Sequence, residues 1–165
     1  MLPYPFKAFN TQGHYQLSAP VNSDDILKMA NYLTRQRLKK GTDLSSPESC
    51  FHYLQTLLQN EEREVFGVLL LDQQHRVIRY QELFQGTINQ ASVYPREVVK
   101  VALLNNAAAV ILVHNHPSGD PTPSMADKSL TKAIEEALGL IDIRTLDHLV
   151  VASEGYRSLA QMGWL

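Results

Sequence analysis

The segment AAVILVHNHPSGDPTPSMAD, residues 108–127, decides the fold of this 165-residue chain. Ala108–Val113 is a continuous β-prone apolar run, which is typical of a central strand covered on both faces. The Pro- and Gly-rich residues His116–Pro123 predict a loop at the carboxyl end of that strand. A long helix is predicted over Ser124–Gly139, with Gly139 as its C-terminal cap. The segment therefore predicts a strand–loop–helix unit.

Further helices and strands are predicted on both sides of this unit. Alternation of strands with helices favours an α/β domain, and an antiparallel strand pair before the unit makes the sheet mixed. We therefore expect a mixed β-sheet flanked by helices. The predicted elements are helices over 45–60 and 95–105, strands over Val65–Leu71 and Val77–Leu83 joined by a turn at Asp72–His75, and short strands over Ile141–Thr145, His148–Ser153 and Tyr156–Leu159.

The first part of the chain differs from the rest. The sequence pattern predicts an N-terminal extension with one helix over residues 1–44 and a domain over residues 45–165. Asn22 and Ser23 are the candidate N-terminal caps of that helix, and Lys39, Lys40 and Gly41 are typical of its end. No function can be read from this extension.

The composition is that of an ordinary globular protein. Hydrophobic residues make up 44% of the chain and charged residues 19%. The single cysteine excludes an internal disulfide scaffold. No apolar run approaches the roughly 20 residues that span a bilayer, and no secretory signal is apparent. These features predict a cytoplasmic protein with no membrane association.

The charges argue against a broad nucleic-acid surface. The chain carries 15 basic and 17 acidic side chains, a formal net charge of -2. The concentrated basic stretch, Arg35–Lys40, is typical of the solvated last turn of a helix, and a DNA contact is the alternative. Binding of nucleic acid stays open, as does the oligomeric state, because the apolar tail Met162–Leu165 could pack on the core or on a second subunit.

Two histidines mark the end of the central strand. His114 and His116 are two residues apart, so their side chains point to the same face. Two converging imidazoles suit a borderline cation such as Zn²⁺. Asp127, in the first turn of the next helix, is the expected third ligand because the loop is long enough to fold back. Three such ligands leave a fourth position for water, which is typical of a catalytic zinc site.

A structural interpretation of the same residues stays open. A histidine at a strand end is commonly a hydrogen-bonded surface group, and Ser124-x-x-Asp127 is also the pattern of a helix N-cap. The two interpretations are compatible, because capping also fixes where the carboxylate of Asp127 points. Asp120, inside the loop, is an alternative ligand.

These residues carry a resemblance to a known superfamily. His114-x-His116-Pro117 followed by Ser124-x-x-Asp127 resembles the JAMM motif of the JAB/MPN metalloproteases, whose spacing selects Asp127. The resemblance covers residues 46–165 and implies the layered JAB/MPN, cytidine-deaminase-like architecture. The stretches that resemble the bacterial RadC family specifically are Gly86-Thr87, Pro95-Arg96-Glu97-Val98, His114–Gly119 and Asp147-His148. A helix-hairpin-helix repeat, which longer RadC proteins carry, is not evident before residue 46.

The resemblance implies an activity and further site residues. It implies a zinc metalloprotease-like hydrolase that cleaves a peptide, isopeptide or related amide bond with a zinc-activated water. Glu64 is the expected base, since Glu64–Leu69 is similar to the superfamily's Glu-Val-x-Gly-Leu stretch. Ser124 is expected to donate a hydrogen bond to the developing oxyanion. The rival bases are Glu61, Glu62 and Glu82.

Two other functional classes compete with this hydrolase. A zinc nucleobase deaminase is disfavoured, because that chemistry uses His-x-Glu with Pro-Cys-x-x-Cys and this chain has one cysteine, Cys50. A non-catalytic interaction or DNA-repair accessory module of the RadC type is the alternative function. The sequence does not determine the substrate.

Four further residues are assigned mainly structural roles. His148 and Asp147 are expected to be structural, with an outer-shell role as the alternative. Asn115 is expected to shape the loop through hydrogen bonds from its side chain to the backbone. Cys50 is expected to be inert packing.

Overall fold

The computed structural model describes residues 2–37, 47–86 and 93–165. The chain divides into two compact units, Met1–Arg37 and Leu38–Leu165. The predicted boundary near residue 44 lies outside the described residues and stays a prediction. Among the described residues, no helix is both long enough and apolar enough to cross a bilayer.

The first unit contains a hairpin as well as the predicted helix. Its strands β1 (Phe6–Ala8) and β2 (Tyr15–Leu17) pair antiparallel, and helix α1 spans Ser23–Arg37. The sequence does not predict the hairpin, because strands of three mostly exposed residues leave no apolar alternation to detect. Asn22 caps α1 as expected, since its side chain accepts from the Asp25 N–H at 2.9 Å. The predicted end of α1, residues 39–41, lies outside the described residues.

The second unit is a five-stranded mixed sheet flanked by helices, which confirms the predicted fold class. The strand order is β4-β3-β5-β6-β7, and the β5–β6 pair is parallel while the other pairs are antiparallel. The elements are α2 (Pro47–Leu58), β3 (Val65–Leu71), β4 (Val77–Gln85), α3 (Pro95–Leu104), β5 (Ala109–Asn115), α4 (Met125–Gly139), β6 (Arg144–Ala152) and β7 (Gly155–Ser158).

Strand β5 lies in the middle of the sheet and is buried on both faces. Alternate residues serve different cores, because side chains on a strand alternate between faces. Ile111 and Val113 belong to the core that contains the buried residues of α2. Val110 and Leu112 belong to the core that contains those of α3 and α4. His114 continues the second series, so its side chain lies on the α4 side of the sheet.

The structure corrects two predicted boundaries near β6. One nine-residue strand, Arg144–Ala152, replaces the two short strands predicted over 141–145 and 148–153. The sequence predicts a break because Asp147 interrupts the apolar pattern, yet its carboxylate is buried and accepts hydrogen bonds from Ser158 Oγ and the Ala160 N–H. Helix α4 is capped at Leu140 rather than at Gly139, which is its last helical residue.

Gly67 leaves room for the ring of Tyr80, which packs against it. A Cβ at this position would lie 2.5 Å from Tyr80 Oη and 2.7 Å from its ring. We expect Gly67→Ala to lower the free energy of unfolding by about 1–3 kcal/mol, as overpacked cores do. Urea denaturation measures this loss. Gly139→Ala is the matched control, because no atom lies within 4 Å of the point that its Cβ would occupy; an equal loss in both variants would contradict the packing explanation.

Cys50 packs in the core, as expected, and provides a probe of unfolding. Its side chain is 2% exposed. Burial, with a smaller contribution from the charge of Asp147, raises the pKa of the thiol to about 12. We therefore expect a thiol reagent at about pH 8 to label Cys50 only as fast as the protein opens, because the thiolate is the reactive form. Labelling of the native protein as fast as of the urea-unfolded chain would refute this.

Candidate metal centre and active-site groove

Three of the predicted residues converge at the carboxyl end of β5. His114 Nε2 lies 3.1 Å from His116 Nε2 and 3.4 Å from Asp127 Oδ1. His116 Nε2 lies 3.8 Å from Asp127 Oδ2. One ligand atom from each residue falls within 4.8 Å of the others, so the three side chains could hold one metal ion.

The N-terminus of α4 fixes the carboxylate of this cluster. Ser124 is the N-cap, and its Oγ accepts from the Asp127 N–H at 3.1 Å. In return, Asp127 Oδ2 accepts from the Ser124 N–H and the Ser124 hydroxyl, both at 2.7 Å. Ser124-x-x-Asp127 is thus a capping box, and the same geometry brings the Asp127 carboxylate close to both histidines.

The loop after β5 orients the second histidine. His116 Nδ1 lies 3.0 Å from the carbonyl oxygen of Asp120. The carboxylate of Asp120 accepts instead from the N–H and hydroxyl of Thr122, at 2.8 and 2.7 Å. Gly119 permits the turn between them with a φ of 95°. The side chain of Asp120 therefore shapes the loop and is not one of the three clustered side chains.

His148 contacts the cluster directly, although the sequence favours a purely structural role for it. Its Nε2 lies 2.8 Å from His114 Nδ1, and its Nδ1 bonds the hydroxyl of Thr131 on α4. In the parallel β5–β6 register His148 pairs with Leu112, which places it on the same face as His114. His148 therefore contacts one of the clustered residues, whereas the carboxylate of Asp147 accepts hydrogen bonds from His148 N–H, Ser158 and Ala160.

Burial favours the neutral form of the imidazoles of His114 and His148. Burial is the main cause that lowers the pKa of His114 to about 4; the charge of Asp127 opposes it and His116 adds to it. Burial also lowers the pKa of His148 well below its usual value, with additional contributions from His114 and His116. Neutral imidazoles offer lone pairs, which is the state that a metal ligand requires.

Glu64 lines the same groove as the cluster. It immediately precedes β3, and burial raises the pKa of its carboxyl; His116 lowers that pKa and Asp127 raises it by smaller amounts. Among the described residues that line the groove, Glu64 is the only glutamate. Glu61 and Glu62 are exposed. Glu82 lies on β4, where it pairs with Gly67 of β3.

Both polar and apolar residues line the groove. Its volume is about 550 Å³. The polar lining residues are Glu64, Ser124 and the three clustered residues, and the apolar ones are Phe66, Val93, Tyr94, Ala126 and Leu130. Such a combination of apolar surface with a few convergent polar groups is typical of a binding site.

Asn115 fixes the segment that carries Glu64, not the loop that it was expected to shape. The Val65 N–H donates to Asn115 Oδ1 at 2.7 Å. The side-chain amide donates to the carbonyl oxygens of Glu61 and Arg63, at 3.2 and 3.0 Å. Asn115 is 1% exposed, so these bonds form away from solvent. The amide therefore ties the end of β5 to the backbone on both sides of Glu64.

We expect Asn115→Ala to destabilise the fold by about 1–3 kcal/mol, because buried backbone groups would lose their partners. Urea denaturation measures the loss. Asn105→Ala is the control, since its amide donates a single bond to the Val101 carbonyl at the end of α3. A loss for Asn115→Ala no larger than that of the control would show that the three bonds do not fix this segment.

Comparisons with known proteins show which family this chain is similar to. A family model described as a RadC-like JAB domain matches residues 44–164. A UPF0758 protein of Cellvibrio japonicus is 56% identical over 140 residues, which cover 85% of this chain and 62% of that protein. A UPF0758 protein of Histophilus somni is 52% identical over 130 residues, which cover 79% of this chain and 59% of that protein.

A further relative is similar in length to this chain. This UPF0758 protein of Vibrio cholerae is 49% identical over 151 residues, which cover 92% of this chain and 95% of that protein. The chain thus spans about three-fifths of the first two relatives and nearly all of the third.

Proposed function

The chain belongs to the family of RadC-like JAB domains, and from that premise we propose that it is a zinc-dependent hydrolase of a peptide, isopeptide or related amide bond. The observation that supports this most is the convergence of His114, His116 and Asp127 in one groove. Its expected partner is a peptide or protein substrate.

The donor set fits zinc. Two imidazole nitrogens with one carboxylate match the ligands of catalytic zinc sites, whereas Mg²⁺ and Ca²⁺ prefer oxygen ligands. His114 and His116 would hold the ion through Nε2, because each Nδ1 already faces a partner within the protein. When bound, zinc supplies a Lewis acid and a water whose pKa is near neutral.

Glu64 is the proposed general base and acid. Its carboxyl lines the groove, and burial raises its pKa. A raised pKa lies closer to neutral pH. A carboxylate with such a pKa is better able to accept a proton from water and to deliver it later to a leaving amine. Neither of its exposed neighbours, Glu61 and Glu62, lines the groove.

Ser124 is the proposed oxyanion donor. Its only hydroxyl hydrogen faces Asp127 Oδ2 in this structure. Donation to a substrate oxygen therefore requires the hydroxyl to turn away from that carboxylate, which would keep its bond from the Ser124 N–H. The N-terminus of α4 adds the positive end of a helix dipole beside the groove.

A peptide and isopeptide library, analysed by mass spectrometry, tests this function. We expect cleavage that stops when a chelator removes the metal and returns when zinc is restored. Cleavage in a preparation verified to be free of metal would overturn the proposal. A folded, zinc-loaded protein that cleaves no member would instead favour the interaction module.

A further inference from the structure

We propose that Thr131 and His148 form a buried relay that fixes the tautomer of His114 and thereby sets the zinc affinity of the site. Both are positioning residues, because they act on the ion through His114. The proposal rests on the proposed function only in requiring that the cluster binds zinc; it makes no claim about hydrolysis.

The relay is continuous and closed to solvent. His114 Nδ1 lies 2.8 Å from His148 Nε2, His148 Nδ1 contacts Thr131 Oγ1, and Thr131 Oγ1 lies 2.6 Å from the Asp127 carbonyl oxygen. The exposed fractions of His114, His148 and Thr131 are 1%, 0% and 0%. Each hydrogen along the relay must therefore lie between two protein atoms, so the direction of one hydrogen bond determines the direction of the next one.

The carbonyl end of the relay sets that direction. A carbonyl oxygen has no hydrogen, so the hydroxyl of Thr131 donates to Asp127 and then must accept from His148 Nδ1–H. A neutral His148 that is protonated at Nδ1 has a lone pair at Nε2, which accepts from His114 Nδ1–H. His114 is thereby left with its own lone pair at Nε2, the atom that faces the other two ligands.

The opposite direction is incompatible with a metal. If Thr131 donated to His148, then His148 Nε2–H would donate to His114 Nδ1, and His114 would carry its hydrogen on Nε2. That hydrogen would occupy the position of the ion. It would also leave two oxygens, Thr131 Oγ1 and the Asp127 carbonyl, 2.6 Å apart with no hydrogen between them. Repulsion between these oxygens disfavours that arrangement.

A separate contact fixes His116 in the same tautomer as His114. His116 Nδ1 faces the Asp120 carbonyl oxygen at 3.0 Å, so it donates there and its Nε2 also carries a lone pair. The lone pairs of the two Nε2 atoms, 3.1 Å apart, repel each other until a shared cation binds both. The relay thus leaves the Nε2 lone pair of His114 available for zinc in the metal-free protein.

Zinc affinity, measured by competition with a chromophoric chelator, tests the relay. Thr131→Val keeps the shape of the side chain and removes the hydroxyl, and we expect it to weaken zinc binding by about 10–100-fold, as loss of outer-shell partners does. Thr131→Ser restores the hydroxyl and is expected to bind zinc as the unchanged protein does. Unchanged affinity in a folded Thr131→Val variant would overturn the proposal.

Thr34→Val is the matched control. Thr34 is also buried in a helix, α1, and donates to the carbonyl oxygen of Ala30, four residues earlier, at 2.9 Å. Within the described part of the chain it has no hydrogen bond to a histidine. We expect its zinc affinity to be unchanged. A comparable weakening in Thr34→Val would assign the effect to the lost helix bond and overturn the relay.

Nitrogen NMR of the zinc-free, unsubstituted protein gives a test that requires no variant to fold. We expect His114 and His148 both to be neutral and protonated at Nδ1; protonation of His114 at Nε2 would overturn the relay.

Failure of the relay is distinguishable from failure of the proposed function. A protein with the expected tautomers and zinc affinities that cleaves nothing would disprove only the hydrolase, and an active hydrolase with the opposite tautomer would disprove only the relay.

Discussion

Glu64→Gln is expected to lower the rate of hydrolysis by roughly 10²–10⁴-fold, the usual contribution of a general base or acid. The amide keeps the size of the side chain but cannot accept a proton from water at neutral pH. Zinc content is expected to stay the same, because Glu64 is not one of the three clustered residues. Turnover of a cleaved library member and zinc content of the same preparation are the measurements.

The rival bases provide the controls for Glu64. Glu62→Gln changes an exposed neighbour in the same segment, and Glu82→Gln changes a residue on β4. Both variants are expected to retain turnover. If Glu64→Gln stayed active while either of the others lost activity, the assignment of the base would be wrong, although the metal cluster would stand.

His116→Ala is expected to lose both zinc and turnover. The variant removes one of three ligands, so its zinc affinity should fall by more than the roughly 10–100-fold that outer-shell changes produce. The fold should persist, because His116 lies after β5 and its ring is partly exposed. Chelator competition and turnover measure the two losses.

His52→Ala is the matched control for His116→Ala. His52 is an exposed histidine on α2, and its ring contacts Tyr156 edge-on. This variant is expected to keep zinc and activity. If His116→Ala bound zinc as tightly as His52→Ala, His116 would not be a ligand.

The fold was predictable where apolar runs are continuous. The run Val65–Leu71 is β3 with the predicted bounds. The run predicted over Ala108–Val113 is the central strand β5, which begins one residue later and ends two residues later, at Asn115. Prediction failed where a buried polar group interrupts the pattern. Asp147 splits β6 in the sequence, yet three hydrogen bonds satisfy its carboxylate in the interior, so the strand continues through it.

The clustered side chains were predictable because their signal is local. Two-residue spacing places His114 and His116 on one face, and the capping pattern places Asp127 at the start of α4. The supporting contacts have no local signal. His148 reaches His114 across 34 residues through the parallel β5–β6 register, and Asn115 reaches Val65 across 50. Such contacts become visible only once the order of strands is known.

Zinc stoichiometry tests the central claim most directly. The purified chain would be stripped with chelator, loaded with zinc, dialysed and analysed by elemental mass spectrometry beside the His114→Ala variant. We predict about one zinc per chain in the unchanged protein, as for a mononuclear catalytic site, and loss of that zinc in His114→Ala. Equal zinc content in the two proteins, or none in either, would contradict the account.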